Sequence, residues 1–382
     1  MNSVFIVLKS VFSFIISTFL LGSFSFRAQA QELLLENKPL LDSIKISVQA
    51  LYNFRFDRSV ECLSKFQKSH GNHPGLRLLA CIRNYWKFLP IGSRPAEYQN
   101  YKNELTRVIR DSETMMKKYP KSPEPSYFFM TANLMLARHH SEDGEYLSAV
   151  NEARKAFPYI KEGFSLKTSF LDYYFSTGLY NYYREAFPEN HNLYKPFTFF
   201  FPEGNKEQGL KELSIAASKS IFSAAEARVF LCNIILRDYY DVPKALEHST
   251  VLHRLFPNNW VFTILYAETL AESGKFAEAE KLTKMLLGRT ENAAQLAGHY
   301  IQGFIDKKNG RIESAKWNFL KALSFGKSND RLTKGHIGLT YNELAKLSLA
   351  AGNKGKAEEY FDLAQENCSY KKVINDRKSA GF

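Results

Sequence analysis

The feature that most constrains the fold of this chain is a signature of small and aromatic residues that occurs twice near the C-terminus. In each copy an alanine is followed four residues later by phenylalanine and three residues after that by another alanine. A glycine lies five residues before the first alanine. The two copies are Gly310, Ala315, Phe319 and Ala322, and Gly352, Ala357, Phe361 and Ala364. Helices approach closely where one offers small side chains and the other fills the gap. The signature therefore predicts a helix, a tight turn and an antiparallel second helix.

The small first position of this signature recurs upstream, which indicates a repeat array. It is occupied by Gly209, Ala245, Ala279, Ala315 and Ala357, which lie 36, 34, 36 and 42 residues apart. This pattern resembles the tetratricopeptide repeat, whose period is about 34 residues. The resemblance implies an all-α fold, an α-α superhelix of about seven to eight helical pairs, because a single pair cannot bury both of its faces. The family's tryptophan at the start of the first helix is absent.

The array is predicted to span residues 31–370, with a divergent part at 31–165 and a more regular part at 166–370. Residues 371–382 are polar and Lys-rich, and we expect this tail to fray. A narrower likeness, carried by Gly178–Tyr183 and by Gly204–Leu213, is to the tetratricopeptide family linked to inclusion-body clearance at the mitochondrial outer membrane. That likeness implies an interaction role and adds no chemistry.

Residues 1–30 have the layout of a secretory signal peptide. Val4–Phe26 is apolar or hydroxylated apart from Lys9, and the small-x-small site Ala28–Ala30 ends the segment. Cleavage after Ala30 would place the mature chain in the periplasm or outside the cell. The alternative is an uncleaved membrane anchor, since the apolar run with its flank approaches spanning length.

The charge of the chain does not indicate a nucleic-acid partner. The formal net charge is +12, and cleavage of the signal peptide would remove two of these charges, Lys9 and Arg27. The basic residues are spread without a block of five like charges. Such a distribution is more typical of a soluble surface than of a nucleic-acid site.

The four cysteines show no spacing typical of a metal site. Cys62 and Cys81 are the only pair close enough in sequence to suggest a disulfide, which an exported location permits. The favoured alternative is that all four are small thiols on buried helix faces.

No pattern in the sequence supports catalysis. Gly352–Lys356 is similar to a phosphate-binding loop, but only two residues separate its first glycine from the Gly-Lys pair, where the loop needs four. His139 and His140 are adjacent, and adjacent side chains on a helix point in different directions and rarely share a metal. We therefore expect a protein that is not an enzyme and that has no cofactor and no metal.

The inner face of the array is the expected binding surface. In the tetratricopeptide family this face is formed by a fixed set of positions in each first helix, and the resemblance carries these positions over. The candidate partner-binding residues are Phe175, Tyr182, Tyr183, Phe230, Arg237, Tyr300, Phe304, Lys307, Lys308 and Lys346. Aromatic and arginine side chains commonly anchor protein interfaces. The alternative is that these aromatic residues only pack between helices.

Two functions remain open from the sequence. The leading one is a non-catalytic scaffold that binds a peptide or partner protein on its concave face. The alternative is a cell-envelope binding protein for glycans or another small ligand, which would use exposed aromatic platforms. Of the three tryptophans, Trp86, Trp260 and Trp317, none falls on the assigned inner face, and this favours the protein partner.

An aromatic insertion, Phe187–Glu203, separates the two helices of the fourth pair. Its tip, Tyr194–Pro202, holds five aromatic residues between and beside two prolines, which bias it toward an extended form. We expect it to fold back as a plug beside Tyr180. The alternative is that Phe197–Phe201 docks on a partner or on the cell envelope.

Overall fold

The computed structural model describes residues 33–190, 202–326 and 331–382, and in these residues the chain is helical with no β-strand. The predicted all-α superhelix is confirmed. The helices are α1 (Lys38–Tyr52), α2 (Phe56–Glu61), α3 (Gln67–His70), α4 (Pro74–Lys87), α5 (Pro95–Lys118), α6 (Pro123–Glu142), α7 (Tyr146–Leu166), α8 (Tyr173–Asn190), α9 (Lys206–Lys219), α10 (Ala224–Ile234), α11 (Val242–Leu255), α12 (Trp260–Glu272), α13 (Phe276–Leu287), α14 (Asn292–Lys308), α15 (Ile312–Leu323), α16 (Arg331–Ala350), α17 (Lys354–Asn367) and α18 (Lys371–Ser379).

These elements form eight consecutive helical pairs and one final helix. The first pair is irregular, because its second helix is split into α2 and α3 by a 3₁₀ turn at Ser64–Phe66. From α4 to α17 each pair consists of two intact helices. The first helix of the fifth pair, α10, is extended by a π-helical segment, Ile235–Tyr239.

The small and aromatic residues of the signature pack where two helices cross, as their sizes predict. Gly303 lies where α14 crosses α15, and a Cβ atom at this position would lie 2.7 Å from the ring of Phe319. Ala315, Ala322 and Phe319 are fully buried in the same contact. The turn between these helices is closed by Gly310, whose φ of +75° is in the left-handed region that glycine adopts without strain.

The first helices of neighbouring pairs form the inner layer. Helix α12 packs on α14, and α14 packs on α16, while each first helix also contacts its own second helix. The array coils tightly enough to bring its two ends onto its middle. Asn259 Nδ2, at the start of the sixth pair, donates a hydrogen bond of 2.9 Å to the carbonyl of Tyr52 in α1. In this contact the ring of Trp86 packs edge to face on the rings of Tyr52 and Phe262.

The C-terminal tail differs from the prediction that it frays. Residues 371–379 form α18, which packs against α16, α17 and the π-helical segment 235–239. Val373 is fully buried and Lys372 is 8% exposed. The tail is ordered because its polar side chains find partners on pairs that are distant in sequence.

Two of the predicted features lie in residues that the structure does not describe. The signal peptide at residues 1–30 and the aromatic run Phe197–Phe201 lie outside the described residues. In the part of the chain that the structure describes, no helix is long and apolar enough to cross a membrane. Cys62 and Cys81 are unpaired, and Cys81 is buried.

Candidate binding groove

The inner face of pairs five to eight forms a groove lined by α10, its π-helical extension, α12, α14 and α16. Next to it, on the fourth and fifth pairs, three of the predicted residues form a half-buried aromatic cluster. The ring of Phe230 lies 5.7 Å from that of Phe175 and 6.4 Å from that of Tyr183. Tyr182 is buried, and its hydroxyl donates a hydrogen bond of 2.8 Å to Asp238. Three of the candidate residues therefore contact one another, and only part of this cluster is open to solvent.

Arg237 forms a bidentate ion pair with Glu268 at the floor of the groove. His336, from the eighth pair, places its Nε2 3.3 Å from the same carboxylate. Burial alone would raise the pKa of Glu268, but Arg237 and His336 outweigh it and hold the pKa of Glu268 well below its usual range. The charges of Arg237 and Glu268 therefore neutralise each other.

A cavity of about 100 Å³ lies over this ion pair. Its lining includes Trp260, Val229, Arg237, Glu268 and His336. Trp260 thus lies beside the groove, although the sequence analysis placed no tryptophan there. Its side chain is only 6% exposed, and the guanidinium of Arg289 lies 5.6 Å from its ring centroid. The ring is therefore not an open platform on which a sugar could stack.

Four of the candidate partner-binding residues, Tyr300, Phe304, Lys307 and Lys308, form a patch on α14, and two of them, Tyr300 and Phe304, are buried. They are 1% and 4% exposed. The ring of Tyr300 packs edge to face on His336, and the ammonium of Lys372 lies 4.7 Å from the ring centroid of Phe304. Helix α16 therefore covers Tyr300 through His336, and α18 covers Phe304 through Lys372. Lys308 alone among the four patch residues remains exposed.

A buried carboxylate, Glu343, organises the C-terminal end of the groove. It is fully buried and forms ion pairs with Lys307 and, at 2.6 Å, with Lys346. Burial raises its pKa, but the neighbouring lysines outweigh burial and hold the pKa of Glu343 well below its usual range. The two predicted lysines thus neutralise a carboxylate that the sequence analysis did not single out.

Helix α18 adds its own charged residues to this network. Lys372 pairs with Glu272 and lies 3.6 Å from Glu343. Asp376, one helical turn later, accepts hydrogen bonds of 2.8 Å from Lys346 and 2.7 Å from Asn342. Sequence reasoning missed these residues because it treated the tail as solvated. Lys372 and Asp376 lie four residues apart, and this spacing of opposite charges was the one local signal of a helix.

No protein-family model and no curated protein sequence matches this chain. Two solved structures of IFIT1 are similar to it. One is a monomeric mutant with Gppp-AAAA, at 15% identity and a TM-score of 0.33, with 89% of this chain and 96% of that chain covered. The other is the human IFIT1 dimer with PPP-AAAA, at 14% identity and a TM-score of 0.34, with 87% and 85% covered. At these values the likeness carries no information about what the chain binds.

Proposed function

We propose that this chain is an exported, non-catalytic scaffold that holds a peptide or partner protein in the groove of pairs five to eight. One observation carries the proposal: the groove already accommodates a helix. Helix α18 reaches across four successive pairs, with contacts to the Tyr239 carbonyl, Glu272, Phe304 and Lys346. A surface that receives one helix in this way has the shape and the charges to receive another.

The state of the charged groups in the groove supports a binding role over a catalytic one at this site. A general acid or base must be able to exchange its proton near the working pH. Glu268 and Glu343 are instead held ionised by the cations around them. In the described residues there is also no group of three His, Cys, Asp or Glu side chains that could hold a metal. Export is supported by the layout of residues 1–30 alone.

A site-specific photocrosslinking experiment in cells of the source organism tests the proposal. A benzophenone amino acid would replace Phe230, which is half-buried beside the groove, and in a second strain Trp317, which is 60% exposed on the second-helix side. We expect adducts with a defined partner from position 230 and none from position 317. The same adducts from both positions, or none from position 230, would contradict binding in the groove.

A melting curve of each labelled protein serves as the folding control. Phe230 contacts Phe175 and Tyr183, so the larger ring must be shown to leave the superhelix intact. Labelling at the exposed Lys308, the last residue of α14, provides a second position that does not depend on the aromatic cluster.

A further inference from the structure

The ammonium group of Lys372 lies in a cage of two carboxylates and two aromatic rings. It pairs with Glu272, lies 3.6 Å from Glu343, and lies 4.7 Å and 5.6 Å from the ring centroids of Phe304 and Tyr240. Carboxylates attract a cation through charge, and ring faces attract it through their quadrupole. We call Glu272, Glu343, Phe304 and Tyr240 the lysine cage.

The electrostatics of the cage favour a charged amine. Burial lowers the proton affinity of Lys372, but Glu343 and Glu272 outweigh burial and raise its pKa above the usual value. The amine therefore stays protonated in the cage. A neutral side chain of the same length would leave both carboxylates without this cation.

The two carboxylates of the cage have partners other than Lys372. Glu343 also forms ion pairs with Lys307 and Lys346, which would remain if Lys372 left the cage. Glu272 also accepts a hydrogen bond of 2.8 Å from the hydroxyl of Tyr240. Because each carboxylate retains a partner, an empty cage avoids the large cost of an isolated buried charge. Tyr240 is 37% exposed, so the cage can be reached from solvent at this wall.

The present occupant is weakly held. Helix α18 has only nine residues, and isolated helices of this length are unstable in water. Only Lys372 and Val373 in it are buried, and the other residues of the helix make contacts largely between charged or polar groups, which add little net stability. A competing helix would therefore displace a helix that buries little apolar surface.

We propose that the lysine cage is the recognition site for a helical segment of a partner protein that carries a lysine followed four residues later by an aspartate. Lys372 and Asp376 occupy the site when the partner is absent. The aspartate of the partner would take the place of Asp376 against Lys346 and Asn342. This inference rests on the proposed function and names the chemistry of the segment that the groove holds.

Chemical labelling of the unmodified full-length chain provides a first test. Lys371 and Lys372 are neighbours, but Lys371 is exposed and Lys372 is in the cage. We expect acetylation by an N-hydroxysuccinimide ester to be at least about tenfold slower at Lys372, because the amine must leave the cage to react. Equal rates at the two positions, read by mass spectrometry, would show that the cage does not hold the amine.

Peptide binding provides the second test. The full-length Lys372→Met variant keeps the cage and lacks the cation. The probes are a fluorescent peptide of residues 368–382 and the same peptide with Lys372→Met. We expect the Kd of the variant for the lysine peptide to be at least about tenfold lower than its Kd for the methionine peptide. A difference of this size is expected from one desolvated cation–π contact. The wild-type chain should bind the lysine peptide more weakly, because its tethered tail competes at an effective concentration on the order of millimolar.

The outcomes separate the two proposals. Equal binding of the two peptides to the Lys372→Met variant, or binding of neither, overturns the cage even if crosslinks at Phe230 support the scaffold. Selective peptide binding without any crosslinked partner supports the cage as an internal site and contradicts the scaffold. If the variant does not melt cooperatively, the acetylation rates of the wild-type chain decide.

Discussion

Arg237 and Glu268 face each other across two neighbouring repeats, with 2.6 Å between Nη2 and Oε2. Glu268 is 2% exposed and Arg237 is 9% exposed. Their position on the inner face results from the repeat, because each lies on the first-helix layer of its pair. A buried ion pair contributes little net stability when it is intact, but removal of one partner leaves a charge without compensation.

The difference between an intact ion pair and one that has lost a partner gives the first prediction. Arg237→Met should lower the free energy of unfolding by about 3–5 kcal/mol, because it leaves Glu268 buried beside His336 alone. The double variant Arg237→Met with Glu268→Leu should recover most of that loss. Guanidinium denaturation of the three proteins measures both effects. A double variant that is less stable than the single one would contradict this account.

The second prediction concerns the close approach of α14 and α15. Gly303→Ala should lower the free energy of unfolding by about 1–3 kcal/mol, because the new Cβ would overpack the ring of Phe319. Gly355→Ala is the matched control, since no atom lies within 4 Å of its Cβ position and the residue is in the first turn of a helix. The control should be neutral or stabilising by up to about 1 kcal/mol. Equal losses in the two variants would show that α14 and α15 are not in close contact.

The fold could be predicted because its determinants are local and repeated. Gly303, Ala315 and Phe319 specify a contact between helices that are adjacent in sequence, and the same contact recurs in the next pair. The interior of the groove could not be predicted in this way. Phe304 lies on α14, but its burial depends on Lys372, which lies 68 residues further along the chain in another helix. Position within a repeat identifies the face of a residue and does not reveal what covers that face.

The third prediction concerns Phe304 and Lys308 in the patch on α14. If the patch were an open binding surface, as its position in the repeat predicts, Phe304→Ala with Lys308→Glu would leave the melting temperature nearly unchanged. Phe304 is 4% exposed, so Phe304→Ala should instead lower stability by about 3–5 kcal/mol. Lys308→Glu alone should have little effect, because Lys308 is exposed. Thermal melts of the two single variants separate the contributions, and an unchanged melt for Phe304→Ala would show that α18 does not cover this residue.

The fourth prediction concerns the N-terminus. We expect export to remove Met1–Ala30, because small residues lie where a signal peptidase cleaves. Mass spectrometry of the exported protein should then find Gln31 as the first residue. Recovery of an intact Met1 from the membrane fraction would indicate the alternative, an uncleaved anchor.

The last prediction concerns a second buried carboxylate, Glu124, which lies outside the groove. It is fully buried, and its two oxygens accept hydrogen bonds from the backbone amides of Leu34, at 2.8 Å, and Leu35, at 2.5 Å. Burial raises the pKa of Glu124 to about 7 despite these hydrogen bonds. His73 lies 3.9 Å away, but burial lowers its pKa to about 3, so it stays neutral and does not offset the carboxylate.

Glu124 and Glu268 should therefore affect the pH dependence of stability in opposite directions. The pKa of Glu124 is raised, so its contribution is present below pH 4.5 and is lost as the pH rises through about 7. The pKa of Glu268 is lowered, so its contribution is lost as the pH falls below 4.5. Glu124→Gln should remove the loss of stability that accompanies the ionisation of Glu124 near neutral pH. A pKa difference of one unit corresponds to about 1.4 kcal/mol of stability. The loss of stability at acid pH, which comes from Glu268, should be unchanged. Urea denaturation between pH 2 and 8 measures both pH dependences, and a variant that loses stability between pH 5 and 8 as steeply as the wild type would show that Glu124 does not titrate there.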